Sequence, residues 1–201
     1  MTQTGETASA WTRFTDRANA VVWELPLPRR SRTMLSELVF RNPPMPLDRV
    51  TETLDAFDGA GIRVVIMGGW GIDALVGREL RVHRDLDLAV APDHLDEAAK
   101  ALEGLGFERW NTDDSPTPLG PITFERTQSC RDRALRVVDL HGTDLGALEV
   151  TGGHIGTHQV TCLTAEQQLQ AQTGNQLTPS RFRRNRTNLA ALTALIAAKR
   201  G

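Results

Sequence analysis

Hydrophobic positions along the chain follow two periods, and the switches between them outline the elements. Val50, Leu54 and Phe57 are spaced as on one face of a helix, with Asp48 placed to cap its start and Gly59 and Gly61 to end it. The apolar run IRVVIM, Ile62 to Met67, predicts a buried strand. It feeds Gly68-Gly69 and a short helix over Trp70 to Val76, stopped by Gly77. DLDLAV, Asp85 to Val90, alternates polar and apolar residues as a strand with one covered face. Pro92-Asp93 then opens a helix reaching Leu105. Phe107 to Trp110, Ile122 to Glu125 and Leu135 to Leu140 predict further strands, and NTDDSPTPLG, residues 111–120, reads as a loop. TAEQ, Thr164 to Gln167, has the form of a capping box. Thr178-Pro179 starts a last helix whose inner face carries Leu189, Leu192 and Ile196. This order predicts an α+β fold, a mixed sheet with helices against it.

The two ends differ from the middle. Residues 1–45 read as an extension, with prolines dense from Pro26 to Pro46, a basic RRSR patch, and a short helix over Thr33 to Arg41. Trp11, Phe14 and Trp23 would anchor this arm on the domain or on a second subunit, as in a homodimer. The main domain is expected over residues 46–163 and a helical segment over 164–201. At 201 residues, 40% hydrophobic and 24% charged, the chain suits one compact domain. No apolar run approaches the roughly 18 residues of a membrane span, and no secretory signal is evident, so a cytoplasmic location is the default expectation. Cys130 and Cys162 are too few and too far apart for a zinc motif or a disulfide framework. The net charge of -2 hides an asymmetry: all 25 acidic residues lie at or before Glu166. Beyond it stand Arg181, Arg183, Arg184, Arg186, Lys199 and Arg200, a basic end that suits either a solvated helix or an anion-binding face.

Charge patterning matters most at DLDL. On a strand Asp85 and Asp87 point together while Leu86 and Leu88 point into a core. Two such carboxylates repel unless a cation stands between them, and Mg²⁺ binds through carboxylates plus phosphate oxygens. In LRVVDLHG, Asp139 supplies a third acid, with Val138 and Leu140 facing away from it. If its strand lies beside the first, three carboxylates converge and two Mg²⁺ ions can be held, the arrangement for in-line phosphoryl displacement. A lone D-x-D is ordinarily a solvated strand end and a lone Gly-Gly an ordinary turn. What favours chemistry is the assembly. The chain runs from a strand through Gly68-Gly69 to a helix start, whose N–H groups suit a phosphate, and then into D-L-D on a new strand.

The stretches GGWGIDALVG and RVHRDLDLAV, Gly68 to Val90, together with VVDLHG and IGTHQVTCLTAEQQLQAQTGNQL, resemble one family. It is the nucleotidyltransferase superfamily of DNA polymerase β-like fold, in its lincosamide and aminoglycoside 2''-nucleotidyltransferase branch. The likeness covers about Asp48 to Leu192 and is weakest between Asp113 and Ala134. It implies a metal-dependent transfer of a nucleoside monophosphate, AMP from ATP or that of another NTP, to a hydroxyl of a small molecule. Asp85 and Asp87 would be metal ligands, and Asp139 would complete the site as ligand, general base or both. Gly68 and Gly69 would cradle phosphates, with Arg81 and His83 contacting phosphate or nucleotide. Asp73 matches the pattern as well and suits a structural hydrogen bond equally. Trp70 is expected in the core, and His141 shares the face of Asp139 and would buttress the ligands.

The chain departs from the branch where its TGY becomes Thr173-Gly174-Asn175 and where an acidic D-x-x-D becomes RFRRNRTN. A polycationic aminoglycoside needs an acidic wall, so a neutral or weakly charged hydroxyl acceptor is expected first. RNA comes second, for want of aromatic stacking platforms. Two other readings compete: toxin-like transfer to RNA or protein, and a non-catalytic nucleotidyltransferase-fold module. Retention of all three acids argues against the second.

Overall fold

A computed structural model describes residues 43–174 and 179–200 of the chain. The helix expected at Thr33 to Arg41, the anchors Trp11, Phe14 and Trp23, and the cap at Thr178 lie outside the described residues, as do the side chains of Arg181, Arg183 and Arg184.

The chain alternates helices and strands as the periodicity predicts, with adjusted ends. Helix α1 (Leu47–Gly59) buries Val50, Leu54 and Phe57. Its N-cap is Pro46 rather than Asp48, which lies in the first turn and accepts the Arg49 N–H instead. Strand β1 (Val64–Ile66) leads into α2 (Gly68–Val76), which begins on the glycine pair itself and ends at Gly77 in the left-handed conformation. Strand β2 (Asp85–Val90) follows, then a turn of 3₁₀ helix (Pro92–His94) running into α3 (Leu95–Gly104).

Beyond α3 the chain is richer in strands than its pattern suggests. β3 (Phe107–Asp113) continues into the stretch expected as loop, and that stretch also holds β4 (Thr117–Leu119), the partner of β5 (Ile122–Phe124) in a separate hairpin. β6 (Arg126–Asp132), β7 (Val137–Gly142), β8 (Val150–Ile155) and β9 (His158–Leu163) complete the set before α4 (Ala165–Gly174) and α5 (Pro179–Arg200). Half of the expected capping box forms: Thr164 Oγ1 accepts the Gln167 N–H at 3.3 Å. The Gln167 side chain turns instead to the Glu149 N–H.

The main sheet has seven strands in the order β3-β6-β7-β2-β1-β9-β8. It is mixed: β2 runs antiparallel to β1 and parallel to β7. Helices α1 and α3 cover one face, where Leu54, Phe57, Leu95 and Leu102 meet Leu86, Leu88, Val138 and Leu140 in the largest buried cluster. On the other face the β4–β5 hairpin packs Ile122 and Phe124 over Ala89, Val65 and Met67. α2 lies against β8 and β2 on its way between β1 and β2, and α4 and α5 pair with each other and pack on α2. Leu192 on α5 is fully buried and Leu189 and Ile196 are half-buried, as the helical spacing predicts.

Candidate active site

Parallel pairing of β2 with β7 sets Asp87 directly opposite Asp139, and Asp85 opposite Val137. Because alternate residues of a strand share a face, Asp85, Asp87 and Asp139 stand on one side of the sheet while Leu86, Leu88, Val138 and Leu140 are buried on the other. The hydrophobic cover from the β4–β5 hairpin begins two residues further on, at Ala89. The acids therefore sit at the border between covered and open sheet. Asp85 is exposed, and Asp87 and Asp139 are half-buried.

The carboxylates are not independent. Desolvation first, and then the charge of Asp87, raise the Asp139 carboxyl above its ordinary range. The Ser129 hydroxyl, on β6 opposite Asp139, donates to Asp139 Oδ1 at 2.5 Å and partly offsets this. His141 Nε2 lies 3.3 Å from Asp87 Oδ1, and its Nδ1 lies 3.2 Å from the Thr127 hydroxyl. Phe124 stacks on the imidazole with centroids 4.4 Å apart. Burial alone would hold the His141 ring down, but the hydrogen bond to Asp87 and the charges of Asp87, Asp139 and Asp85 lift it above its ordinary value. His141 thus stands beside the acids with its proton held more tightly than in a free imidazole.

The glycine pair closes the site from the β1 side. β1 pairs Ile66 with Leu88, and the Met67 N–H donates to the Asp87 carbonyl at 2.9 Å, so the chain turns off β1 alongside Asp87. Gly68 has φ +58, and a Cβ there would overlap Asp87 Oδ2. A Cβ on Gly69 would strike His83 Nδ1 and come within 3.1 Å of Arg81 Nη2. Both positions therefore need glycine because side chains of the motif occupy the space. His83 is buried, with Nε2 held at 2.5 Å by Asp73 Oδ2, and its Nδ1 finds no hydrogen-bond partner among the described residues. Arg81 reaches the Val82 carbonyl at 3.0 Å and Asn188 of α5 at 3.4 Å. Asp73 accepts in addition from the Leu80 N–H, so it ties the α2–β2 loop to the helix. Trp70 is 2% exposed, a core residue as expected.

All seven residues singled out in the sequence gather in two clusters: Asp85, Asp87 and Asp139 on the sheet face, and Gly68, Gly69, Arg81 and His83 at the start of α2. Gly68 against Asp87 joins them. Sequence reasoning missed Ser129 and Thr127, which touch Asp139 and His141 from β6, and Asn188, which brings α5 to Arg81. Strand β6 carries no apolar alternation that would have placed Ser129 and Thr127, and Asn188 on α5 meets Arg81 only through the fold. A cavity of about 710 Å³ opens elsewhere, lined by Arg49, Phe107, Arg109, Asp132 and Arg136 among others. Its arginines are engaged, Arg136 with Asp132 at 2.7 Å, Arg49 with Glu52 at 2.6 Å and Arg109 with Asp96 at 2.6 Å, so it reads as a salt-bridged seam.

Solved structures share this architecture. The lincosamide antibiotic adenylyltransferase LnuA bound to lincomycin superposes with a TM-score of 0.60 at 18% identity, over 76% of this chain and 99% of that one. ANT(2'')-Ia in complex with adenylyl-2''-tobramycin gives 0.59 at 20% identity, over 76% and 91%. The fold is that of the nucleotidyltransferases. Within that class, residues 49–191 match the aminoglycoside-2''-adenylyltransferase family, and the chain belongs to it. A lincosamide resistance protein of Staphylococcus haemolyticus is 34% identical over 55 residues, 27% of this chain. That match spans about a third, 34%, of the curated relative's length.

Proposed function

We propose that the chain transfers AMP from ATP to a hydroxyl of a small molecule, releasing pyrophosphate. The observation that carries this reading is the register of Asp87 on Asp139, with Gly68 fitted over the Asp87 carboxylate. That arrangement places three acids beside a helix N-terminus, where backbone N–H groups attract phosphate. The His83 Nδ1 faces Gly69 at the helix start while Asp73 holds the other ring nitrogen, which sets the ring where a phosphate would lie. Arg81 stands at the same glycine and adds charge for the triphosphate.

The acids suit magnesium that arrives with the nucleotide. Among the described residues no group of three His, Cys, Asp or Glu side chains could hold an ion alone. Magnesium, however, characteristically takes one or two carboxylates plus substrate phosphates and water. Asp85 and Asp87, with Asp139 beside them, would supply those carboxylates. When bound, the ion neutralises phosphate charge and stabilises the attacking and leaving oxygens.

Asp139 would accept the proton of the acceptor hydroxyl. Ser129 occupies its Oδ1, and the raised proton affinity of the buried carboxyl brings it nearer to what a general base requires. A lincosamide-type acceptor is placed ahead of aminoglycosides, in keeping with the curated relative. The test is labelled ATP with Mg²⁺ against lincomycin, tobramycin and tRNA. Labelled small-molecule product supports the reading. No product from any acceptor, with or without Mg²⁺, refutes it.

A further inference from the structure

We propose that Trp110 and Arg131 form the acceptor subsite, a stacking surface for a neutral, sugar-like ring whose hydroxyl lies at Asp139. The proposal rests on the transfer reaction proposed above and says where the acceptor lies.

The argument begins with register. Ser129 on β6 is opposite Asp139 on β7, and Asn111 on β3 is opposite Ser129. The sheet face that carries the acids therefore continues outward across β6 to the edge strand β3. On β6 the alternation leaves Thr127, Ser129 and Arg131 half-exposed while Gln128, Cys130 and Asp132 are buried, so this face is the open one. Trp110 stands where the β3–β6 register shifts, between Arg109 and Asn111. Irregularities of this kind re-aim side chains and are common next to active sites.

Single exposed apolar residues are ordinary. Two things set Trp110 apart. First, its indole is held: the Arg131 guanidinium lies 4.6 Å from the ring centroid, a cation–π contact that fixes the ring while 36% of the residue stays exposed. Second, it lies two strands from Asp139, roughly 10 Å at the usual strand spacing. A two-ring molecule with one end on the indole thus reaches the acids with the other.

Charge selects the ligand class. Glu108 is directly opposite Arg131 in register, so an acid and a base share this stretch of the edge. An edge where Arg131 faces Glu108 in register favours neither a polycation nor a phosphate chain, and a Trp face offers its area to the C–H side of a saccharide or to another flat ring. The structure so assigns specificity to the β3–β6 edge, away from the nucleotide side at α2.

The experiment compares the wild-type chain with Trp110→Ala and Trp110→Phe, using lincomycin and tobramycin as acceptors, with melting temperatures recorded for each protein. Loss of one stacked ring should raise the acceptor KM about tenfold in the Ala variant and much less in the Phe variant, with the KM for ATP unchanged. Tryptophan fluorescence should respond to lincomycin in the wild type and lose most of that response in Trp110→Phe. Unchanged acceptor KM in Trp110→Ala overturns the subsite, and so does an equal rise in both KM values, which would mark Trp110 as structural. A wild-type chain that adenylylates neither compound brings down the proposed reaction and the subsite with it. A wild type that does so, with Trp110→Ala matching it, brings down the subsite only.

Discussion

Strands β2 and β7 are one hydrogen-bonded pair with two unlike faces. On one, Leu86, Leu88, Val138 and Leu140 are wholly buried beneath α1 and α3. On the other, one residue along in each case, stand Asp85, Asp87 and Asp139. The covered face contributes burial of apolar area, and each fully buried Leu stabilises by about 1.5–3 kcal/mol. The acidic face costs stability, because Asp139 is both desolvated and set beside a like charge. The same six-residue strands thus hold the fold with one face and the proposed chemistry with the other. Substitutions on the two faces should fail in opposite ways.

The sharpest contrast is expected at Asp87. Asp87→Asn should abolish transfer while the melting temperature holds or rises, since a repelling charge is lost without change of volume. Near-normal turnover in that variant would break the comparison outright. Asp139→Asn should lose turnover by about 10²–10⁴-fold if the carboxyl acts as base, with ATP–Mg²⁺ binding retained in equilibrium titrations. Loss of that binding would assign Asp139 as chiefly a ligand.

Leu88→Ala, the neighbour facing the core, should cost about 2–5 kcal/mol in denaturant unfolding yet leave kcat at permissive temperature nearly intact. The acidic face should also make the metal-free protein pH-sensitive. Asp139 and His141 both have raised proton affinity in the folded chain. Each contributes stability that is fully present below its ordinary value, 3.8 and 6.5 respectively, and is lost as pH rises through its raised value. The melting temperature without metal should therefore fall as pH climbs from mildly acid through neutral, and Asp139→Asn should flatten the acid part of that slope. The smallest effect tests the covered interior. Burial pushes the Cys130 thiol up to about 12 and the Cys162 thiol to about 11. Iodoacetamide at neutral pH should label neither in the folded protein, and mass spectrometry after denaturation should show both.

Legibility followed the periodicity. β2 was readable to the residue because polar and apolar positions alternate strictly from Asp85 to Leu88, and the same alternation put Asp139 on the matching face of β7. β6 was not, because its buried positions include Gln128 and Asp132, polar groups that mimic a surface strand. They are satisfied in place: Gln128 donates to the Asn111 and Ser129 carbonyls, and Asp132 accepts two hairpin N–H groups and Arg136. In β8, a Cβ on Gly153 would press on the Ala74 carbonyl, so that glycine serves close packing of α2 on the strand, a need that no periodicity announces. At the site, Arg81 and His83 were singled out only by the family resemblance, whereas the shared face of Asp85, Asp87 and Asp139 and the strand-to-helix joint at Gly68-Gly69 were readable from the alternation. Ser129 and Asn188 were not, since only the fold brings β6 and α5 to them.

The parallel pairing of β2 with β7 also sets when the site comes into being. β2 can pair with β1 as soon as both are made, but Asp87 must wait for a strand whose His141 lies 54 residues further on. At a synthesis rate of about 5–20 residues per second, a nascent chain would carry Asp85 and Asp87 for roughly 3–11 s before their partners leave the ribosome. Closing that long-range parallel contact is a slow kind of step, and it brings like charges together. Nucleotide and magnesium would favour it from the product side, so their presence during refolding should raise the yield of native chain more than the rate of early collapse.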